Sequence, residues 1–478
     1  MLNLKVGDDG GEELKCGVAK VDITPAVGTE LCGHFRSNLK SIGIHSNLYA
    51  RALVLNDGEN KAVLVSCDLL GVTSTLVTSA RRRIKEMTGI EGENVMISCT
   101  HTHSGPGSMP CRVIGRSDET YQDQLVKKIA GAVYLALGNM REAGIGLGVG
   151  FEDLAASRRV KWPDGSIRFD WLDPNTPPKE QIDKELKVLT IRGMHRETIA
   201  VAINFACHPV TIGGRLFNLV SSDFPGVTTD LIERVKGGGA IALFFNGAFA
   251  DTHPRKDLIP GYNYYTPIEG DELTVTLGTI LGASALKISE TTCTRSDVSI
   301  DTCSEVVKVP LEKVPSKEEL ESRILVEEER RLKELMKTGA PSHELWWLKQ
   351  RLDWYHYVLD HIYGQGKRFE EWEDLEIQVI RIGDIYVVGI PGEVFSQIGL
   401  EIKRRAHEIG LDKVLVFALT NGNPGYIPAE EDYTIAPIGK RGYELEGSYM
   451  LYGRPLVGPG TATTIIETSI KLISKLKP

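Results

Sequence analysis

Between residues 50 and 250 the apolar side chains fall alternately into short continuous runs and into helical spacing. Ala50–Asn56, Ala62–Asp68, Asn94–Cys99, Ile145–Phe151, Leu186–Arg192, Thr198–Ala206 and Ala240–Phe245 are runs of buried-strand length. Leu76–Met87 and Glu119–Leu137 repeat their apolar positions three and four apart and predict helices. The alternation predicts an α/β protein built on a layered mixed sheet. Trp162-Pro-Asp-Gly-Ser166 predicts a tight turn, and the proline-rich residues 173–180 an exposed loop.

Residues 315–363 differ in kind. Ser316-Lys-Glu-Glu319 has the form of a capping box, Leu320, Ile324, Leu332 and Leu335 follow at helical spacing, and Gly339 closes the run. A second helix is expected from Ser342 to Tyr363. The pair predicts a charged helical hairpin, and a length of 478 residues allows one large domain with insertions or two to three smaller ones. Its Trp346, Trp347, Trp354 and Tyr355 form an aromatic stripe that either packs the hairpin onto the body or walls a substrate cleft. Strands are expected again at Leu375–Ile382, Ile385–Ile390 and Lys413–Leu419, with helices from Glu393 to about Ile409 and over Thr461–Leu476. Residues 421–460, rich in Gly, Pro and Tyr, show no period, and long irregular segments in compact domains tend to be functional.

The chemistry gathers where the apolar runs stop. Asn94–Cys99 empties into Thr100-His-Thr-His-Ser-Gly-Pro-Gly107. Side chains two apart on an extended chain point the same way, so His101 and His103 can share one cavity, either as ligands of a metal or as histidines bonded to nearby carbonyls. Thr198–Ala206 ends in Cys207-His208-Pro209, and Ile385–Ile390 exits into Pro391-Gly-Glu393, where the carboxylate could equally serve a helix dipole. Lys413–Leu419 leads to Tyr426, and Ala240–Phe245 leads through Asn246 to His253. Five strand ends, each releasing a His, Glu or Tyr beside Gly and Pro, predict convergence on one cavity. Asp223 and Asp251 are candidates either to orient ligand histidines or to cap helices.

Composition limits the partners. A net charge of -9 leaves no basic surface for nucleic acid or anionic membrane, and no segment reaches the roughly 20 apolar residues of a membrane span. A small-molecule substrate is expected. Residues 1–10 have neither a basic start nor an apolar core, so a cytoplasmic location is expected. The eight cysteines read as reduced core residues, with Cys293 and Cys303 the pair placed to bridge.

Thr100-His-Thr-His-Ser-Gly-Pro-Gly107, Asn204-Phe-Ala-Cys-His208, Pro391-Gly-Glu393, Tyr426-Ile, Tyr443-Glu and Tyr452-Gly453 follow one another as in the N-terminal catalytic domain of the neutral (non-lysosomal) ceramidases. The opening Gly17-Val-Ala-Lys-Val-Asp-Ile-Thr-Pro25 resembles that family too, and the likeness runs from about Cys16 to the end. It implies one Zn2+ held by His101, His208, Glu393 and Tyr426. It further implies His103 as a substrate-polarising group, with Tyr443 and Arg158 near the substrate carbonyl and Arg159 as the competing arginine. Where the family has Gly-Asp-Val-Ser-Pro this chain has Ala250-Asp-Thr-His-Pro254. His253 thus replaces a serine, which argues against a serine acyl-enzyme and leaves His253 as an acid, a base, a further ligand or a turn residue. The resemblance implies one catalytic domain over residues 1–478 with the hairpin at 315–363 inserted in it, and the family's C-terminal immunoglobulin-like domain is expected to be missing. The expected activity is zinc-dependent hydrolysis of an amide or ester bond in an N-acyl compound through a metal-activated water. A metal-assisted lyase or isomerase, or a non-catalytic metal-binding protein, could use the same scaffold.

Overall fold

The structure is a computed structural model and describes residues 13–35, 38–169, 181–262, 270–339, 342–437 and 439–478. The loop expected at 173–180 and the N-terminal ten residues lie outside them.

The α/β expectation holds. Eight strands form one mixed sheet in the order Ile241–Asn246, Thr198–Phe205, Glu185–Gly193, Arg141–Phe151, Lys15–Asp22, Tyr49–Asn56, Lys61–Cys67, Val95–Cys99. Neighbours are antiparallel except at the two edges, where Thr198–Phe205 runs parallel to Ile241–Asn246 and Lys61–Cys67 parallel to Val95–Cys99. A second sheet orders Ile300–Pro310, Trp372–Ile382, Ile385–Gly389 and Val414–Phe417, again with a parallel pair at one edge. Leu55, Leu189, Ile191 and Phe245 of the first sheet meet Ile380, Ile382, Val387 and Phe417 of the second in one apolar interior, where the Phe245 and Phe417 rings stack at 4.2 Å. Glu119–Gly138, Asp223–Lys236 and Glu272–Thr291 cover the large sheet, and Thr461–Lys475 covers the small one.

The large sheet curls until its two parallel edges approach. Ser66 Oγ donates to the Phe244 carbonyl at 2.5 Å, and Asn246 Nδ2 donates to the Thr100 carbonyl at 3.2 Å. The small sheet joins the same seam, since Ala418 N donates to the Asn246 carbonyl at 3.0 Å and Cys99 N to the Leu419 carbonyl at 3.3 Å. Closing the edges onto each other satisfies backbone groups that an open edge would expose. It also brings the carboxyl ends of the parallel strands to one place, the usual location of chemistry in such sheets.

Most expected elements appear within one to four residues of their predicted ends, and the edge strand Ile300–Pro310 was not anticipated. Its polar Asp301, Ser304, Glu305 and Lys308 are those of a strand half open to solvent, with too little apolar content to stand out. The helix expected from Glu393 begins instead at Ser396. Glu393 and Val394 are extended and pair in parallel with Tyr426 and Ile427, so Glu393 does not serve a helix dipole. Cys293 and Cys303 form no bridge; all eight cysteines are free and Cys16, Cys32, Cys67, Cys99 and Cys207 are buried. Ser316 and Glu319 make the capping box, and the two helices after it, Leu325–Thr338 and Ser342–Tyr357, pack through Leu325, Leu348 and Leu352. Among the described residues no helix is long and apolar enough to cross a membrane.

Candidate metal centre

The curled edges and Asn246 set the scaffold of the site. Asn246 is fully buried; its Oδ1 accepts from Cys207 N at 3.2 Å while Nδ2 donates to the carbonyls of Thr100 and Cys207. One amide thereby spaces the two histidine-bearing segments. His101 itself stands at φ 75°, in the left-handed region, which costs on the order of 1–3 kcal/mol in a non-glycine residue and turns the chain sharply out of its strand.

His101, His103 and His208 place their ligand atoms within 4.8 Å of one another. Glu393 Oε2 lies 3.3 Å from His101 Nε2 and 3.4 Å from His208 Nε2. The ring orientations have identifiable causes. His101 Nδ1 donates to the Leu70 carbonyl at 2.7 Å, and His208 Nδ1 faces the Phe249 carbonyl at 3.3 Å. A carbonyl only accepts, so Nδ1 of His101 carries the proton; His208 Nδ1 also faces the donor Arg158 Nη1, but at 3.5 Å this is the longer contact, and with the proton on Nδ1 there too each Nε2 presents its lone pair to Glu393. Tyr452 donates to Glu393 Oε1, while the buried Oε2 has no hydrogen-bond partner. Three electron-rich atoms facing one another in a buried site call for a cation. Ligand atoms about 2.0–2.1 Å from a tetrahedral ion stand about 3.3–3.4 Å apart, and the separations here match that spacing.

The charge states fit as well. Burial, reinforced by Arg158, pushes His208 down to about 3, and burial also holds His103 well below its usual value, so both rings are neutral at pH 7 as a ligand must be.

Tyr426 is brought beside Glu393 by the parallel register, and its hydroxyl accepts from Arg158 Nη2 at 2.9 Å. The Tyr443 ring packs edge-on to Tyr426 at 5.7 Å. Beyond Tyr443 the hairpin contributes Trp347 at 5.5 Å and Trp346 at 4.7 Å from Trp347, with Phe35 against all three rings. The aromatic stripe therefore packs in two groups that share Trp347: Trp354 is fully buried with Leu320 and Val358, and Trp346 and Trp347 lie with Tyr443, Trp347 touching both groups.

The pattern of a family accompanies this geometry. Residues 14–260 match the description of the neutral/alkaline non-lysosomal ceramidases, N-terminal region, which is more than half of the chain. The chain belongs to this family. Curated ceramidases similar to it include neutral ceramidase A of Dictyostelium discoideum, 25% identical over 49% of this chain and 34% of that protein, and neutral ceramidase of Pseudomonas aeruginosa, 25% identical over 51% and 38%. The matches thus span little more than a third of those relatives. The solved structure of the P. aeruginosa neutral ceramidase superposes with a TM-score of 0.69 at 20% identity, covering 97% of this chain and 74% of that one, and shows the common fold.

Of the residues read from the sequence, His101, His103, His208 and Glu393 meet, with Tyr426, Tyr443 and Arg158 around them. Within the family-matched region Arg158, not Arg159, reaches Tyr426; Arg159 stands behind, on Asp432 and Glu444. His253 is buried on a short antiparallel pair with Ala156, its Nδ1 3.1 Å from the Pro254 carbonyl, and lies outside the converging histidine group. Asp251 caps the helix after Glu393, with Oδ1 accepting from Ser396 N and Oγ at 2.8 Å. Asp223 heads its helix and accepts from Phe224 N and Thr211 N. Ser221, His45 and Asp271 have the order of a hydrolytic triad, but Ser221 Oγ is buried and accepts the Asp223 amide, so they tie two turns together. Tyr452 and Glu444 fall within motifs that carry the family likeness and Asn246 at a strand exit, but the sequence assigned none of the three a role. Each acts across a long stretch of chain, and the placement of Asn246 at a strand end beside Gly247 was the one available sign.

Proposed function

We propose that this chain is a zinc-dependent amidohydrolase of ceramidase type that cleaves the amide of an N-acyl compound. The observation that carries the reading is the single Glu393 oxygen set 3.3 and 3.4 Å from two oriented Nε2 atoms. His101, His208, Glu393 and Tyr426 would hold the ion. When bound, zinc supplies Lewis-acid polarisation of a carbonyl and activation of water near neutral pH.

The chain's own groups complete the chemistry. Burial raises Tyr443 far above its usual value, so its hydroxyl keeps its proton at pH 7 and can donate to the carbonyl oxygen as charge develops there. His103 Nε2 is buried and without a hydrogen-bond partner, and the neutral ring can donate a hydrogen bond to the substrate oxygen, or take a proton from the attacking water and then pass that proton to the leaving amine. Each such contact is typically worth a few kcal/mol of barrier. Trp346, Trp347 and Phe35 limit water on the approach.

Elemental analysis of purified protein should give about one zinc per chain, and Glu393→Ala should lose it together with hydrolysis of N-acyl amino acids, N-acyl amino sugars or ceramide. A wild-type protein with no bound transition metal, or a Glu393→Ala protein that keeps both metal and activity, refutes the proposal.

A further inference from the structure

Behind the tyrosines lies a buried ionic group that the proposed chemistry does not use directly. Glu444 accepts from Arg158 Nε through Oε1 at 2.8 Å and from Arg159 Nη1 through Oε2 at 2.8 Å. Arg159 Nη2 in turn donates to Asp432 Oδ1 at 2.5 Å. Glu444 and both arginines are at most 4% exposed.

We propose that Glu444 is a positioning residue: it clamps the guanidinium of Arg158 so that Nη2 meets the Tyr426 hydroxyl, and thereby sets where Tyr426 stands in the metal centre. A guanidinium is a rigid plane, and anchoring its Nε fixes the direction of both terminal nitrogens, whereas the stem alone has several rotatable bonds. The anchor is delivered with the site. Glu444 follows Tyr443 in the short helical turn Tyr443–Glu446, so one turn presents the Tyr443 ring to the cleft and the Glu444 carboxylate to the back of Arg158. The approach is close: Gly442 has φ 91°, and a side chain there would begin 3.2 Å from Arg159 Nη1. Burying several charges is a poor way to gain stability, since well-packed apolar residues commonly do as well. What such a group does provide is a fixed direction.

Asp432 supplies the control, because it holds Arg159 but makes no contact with the Arg158–Tyr426 pair. Glu444→Gln and Asp432→Asn each remove one buried carboxylate charge from the same group, and both should lower the melting temperature. Only Glu444→Gln should weaken zinc binding, by about 10–100-fold in competition with a fluorescent chelator, in line with the effect of losing a ligand's supporting partner. It should also lower kcat about tenfold or more with KM changed less, while Asp432→Asn stays within about threefold of wild type. If Glu444→Gln does not fold, the double variant Arg159→Met/Glu444→Gln, which removes one charge of each sign, takes its place in both measurements.

This inference rests on the metal-hydrolase reading, and the two fail differently. A wild-type chain without zinc or hydrolysis overturns that reading. A functional wild type in which Glu444→Gln and Asp432→Asn lose zinc affinity and kcat equally, or in which neither loses them, overturns the role of Glu444.

Discussion

Lowering the pH from 7 to 5 should remove a definable part of the stability of the zinc-free protein through His208. Burial, together with Arg158, depresses the folded-state value of this ring to about 3, against about 6.5 in the unfolded chain. The folded state thus refuses a proton that the unfolded state accepts. With the folded value depressed, the contribution is complete above the unfolded value of about 6.5 and is lost progressively as the pH falls toward about 3. Between pH 7 and pH 5 the linkage integral for one such group is on the order of 2 kcal/mol. Other groups titrate in this range, so the measurement is a difference: urea unfolding of chelator-treated wild type and of His208→Asn at both pH values. Wild type should lose about 2 kcal/mol more than the variant over the interval. Equal losses in the two proteins would mean that the ring takes up its proton in the folded state, and the argument for a neutral ligand would fall with it.

Replacing Asn246 by Ala strands the buried amide of Cys207 and the carbonyl of Thr100, each costing about 1–3 kcal/mol, so thermal unfolding should fall by several degrees and zinc content with it; an unchanged melting temperature would show that Asn246 does not space the histidines. Trp354→Ala should destabilise by about 3–5 kcal/mol with KM preserved, whereas Trp347→Ala, at a half-buried position, should cost less stability and raise KM; the opposite pattern would reverse the two assignments. Asp251 is raised by burial to about 6, its Ser396 hydrogen bonds only partly opposing, so its contribution is full below about pH 4 and is lost as the pH rises through about 6. Asp251→Asn, which keeps an acceptor for Ser396, should therefore gain on wild type in denaturant melts at pH 8 but not at pH 4. His253→Ala should retain activity within about threefold in the N-acyl assay, because its ring is outside the converging donors; a loss above about a hundredfold, the scale of a general acid or base, would make it catalytic.

His101 and His208 could be read from the chain because an apolar run that stops at Gly or Pro announces a strand end, and strand ends are where side chains face a cavity. Glu393 was found at the right position in the wrong element: Pro391-Gly392 looks like a helix preface, but the backbone bonds of 393–394 go to 426–427, a pairing that local sequence does not encode. Tyr426 was one of the strand-end candidates, but its ligand role and the choice of Arg158 came from family likeness, since an aromatic in an aperiodic segment and one arginine of an adjacent pair carry no period to decode. The roles of Asn246, Tyr452 and Glu444 escaped because their partners lie at 100 and 207, at 393, and at 158 and 159. The curl that joins the sheet edges is likewise a property of the assembled layers and of no single strand.

The two-residue ladder that pairs Glu393 with Tyr426 and Val394 with Ile427 acts as a vernier for the centre. Side chains alternate faces along an extended chain, so a slip of one residue in either partner would carry Glu393 or Tyr426 into the apolar interior and turn Val394 or Ile427, both now fully buried, toward the candidate centre. Each error is punished twice, by a missing donor and by a misplaced polar group. Misregistered molecules should therefore not survive as weak binders. In a refolding experiment, the fraction of chains that take up metal would report the fraction that have found the correct register.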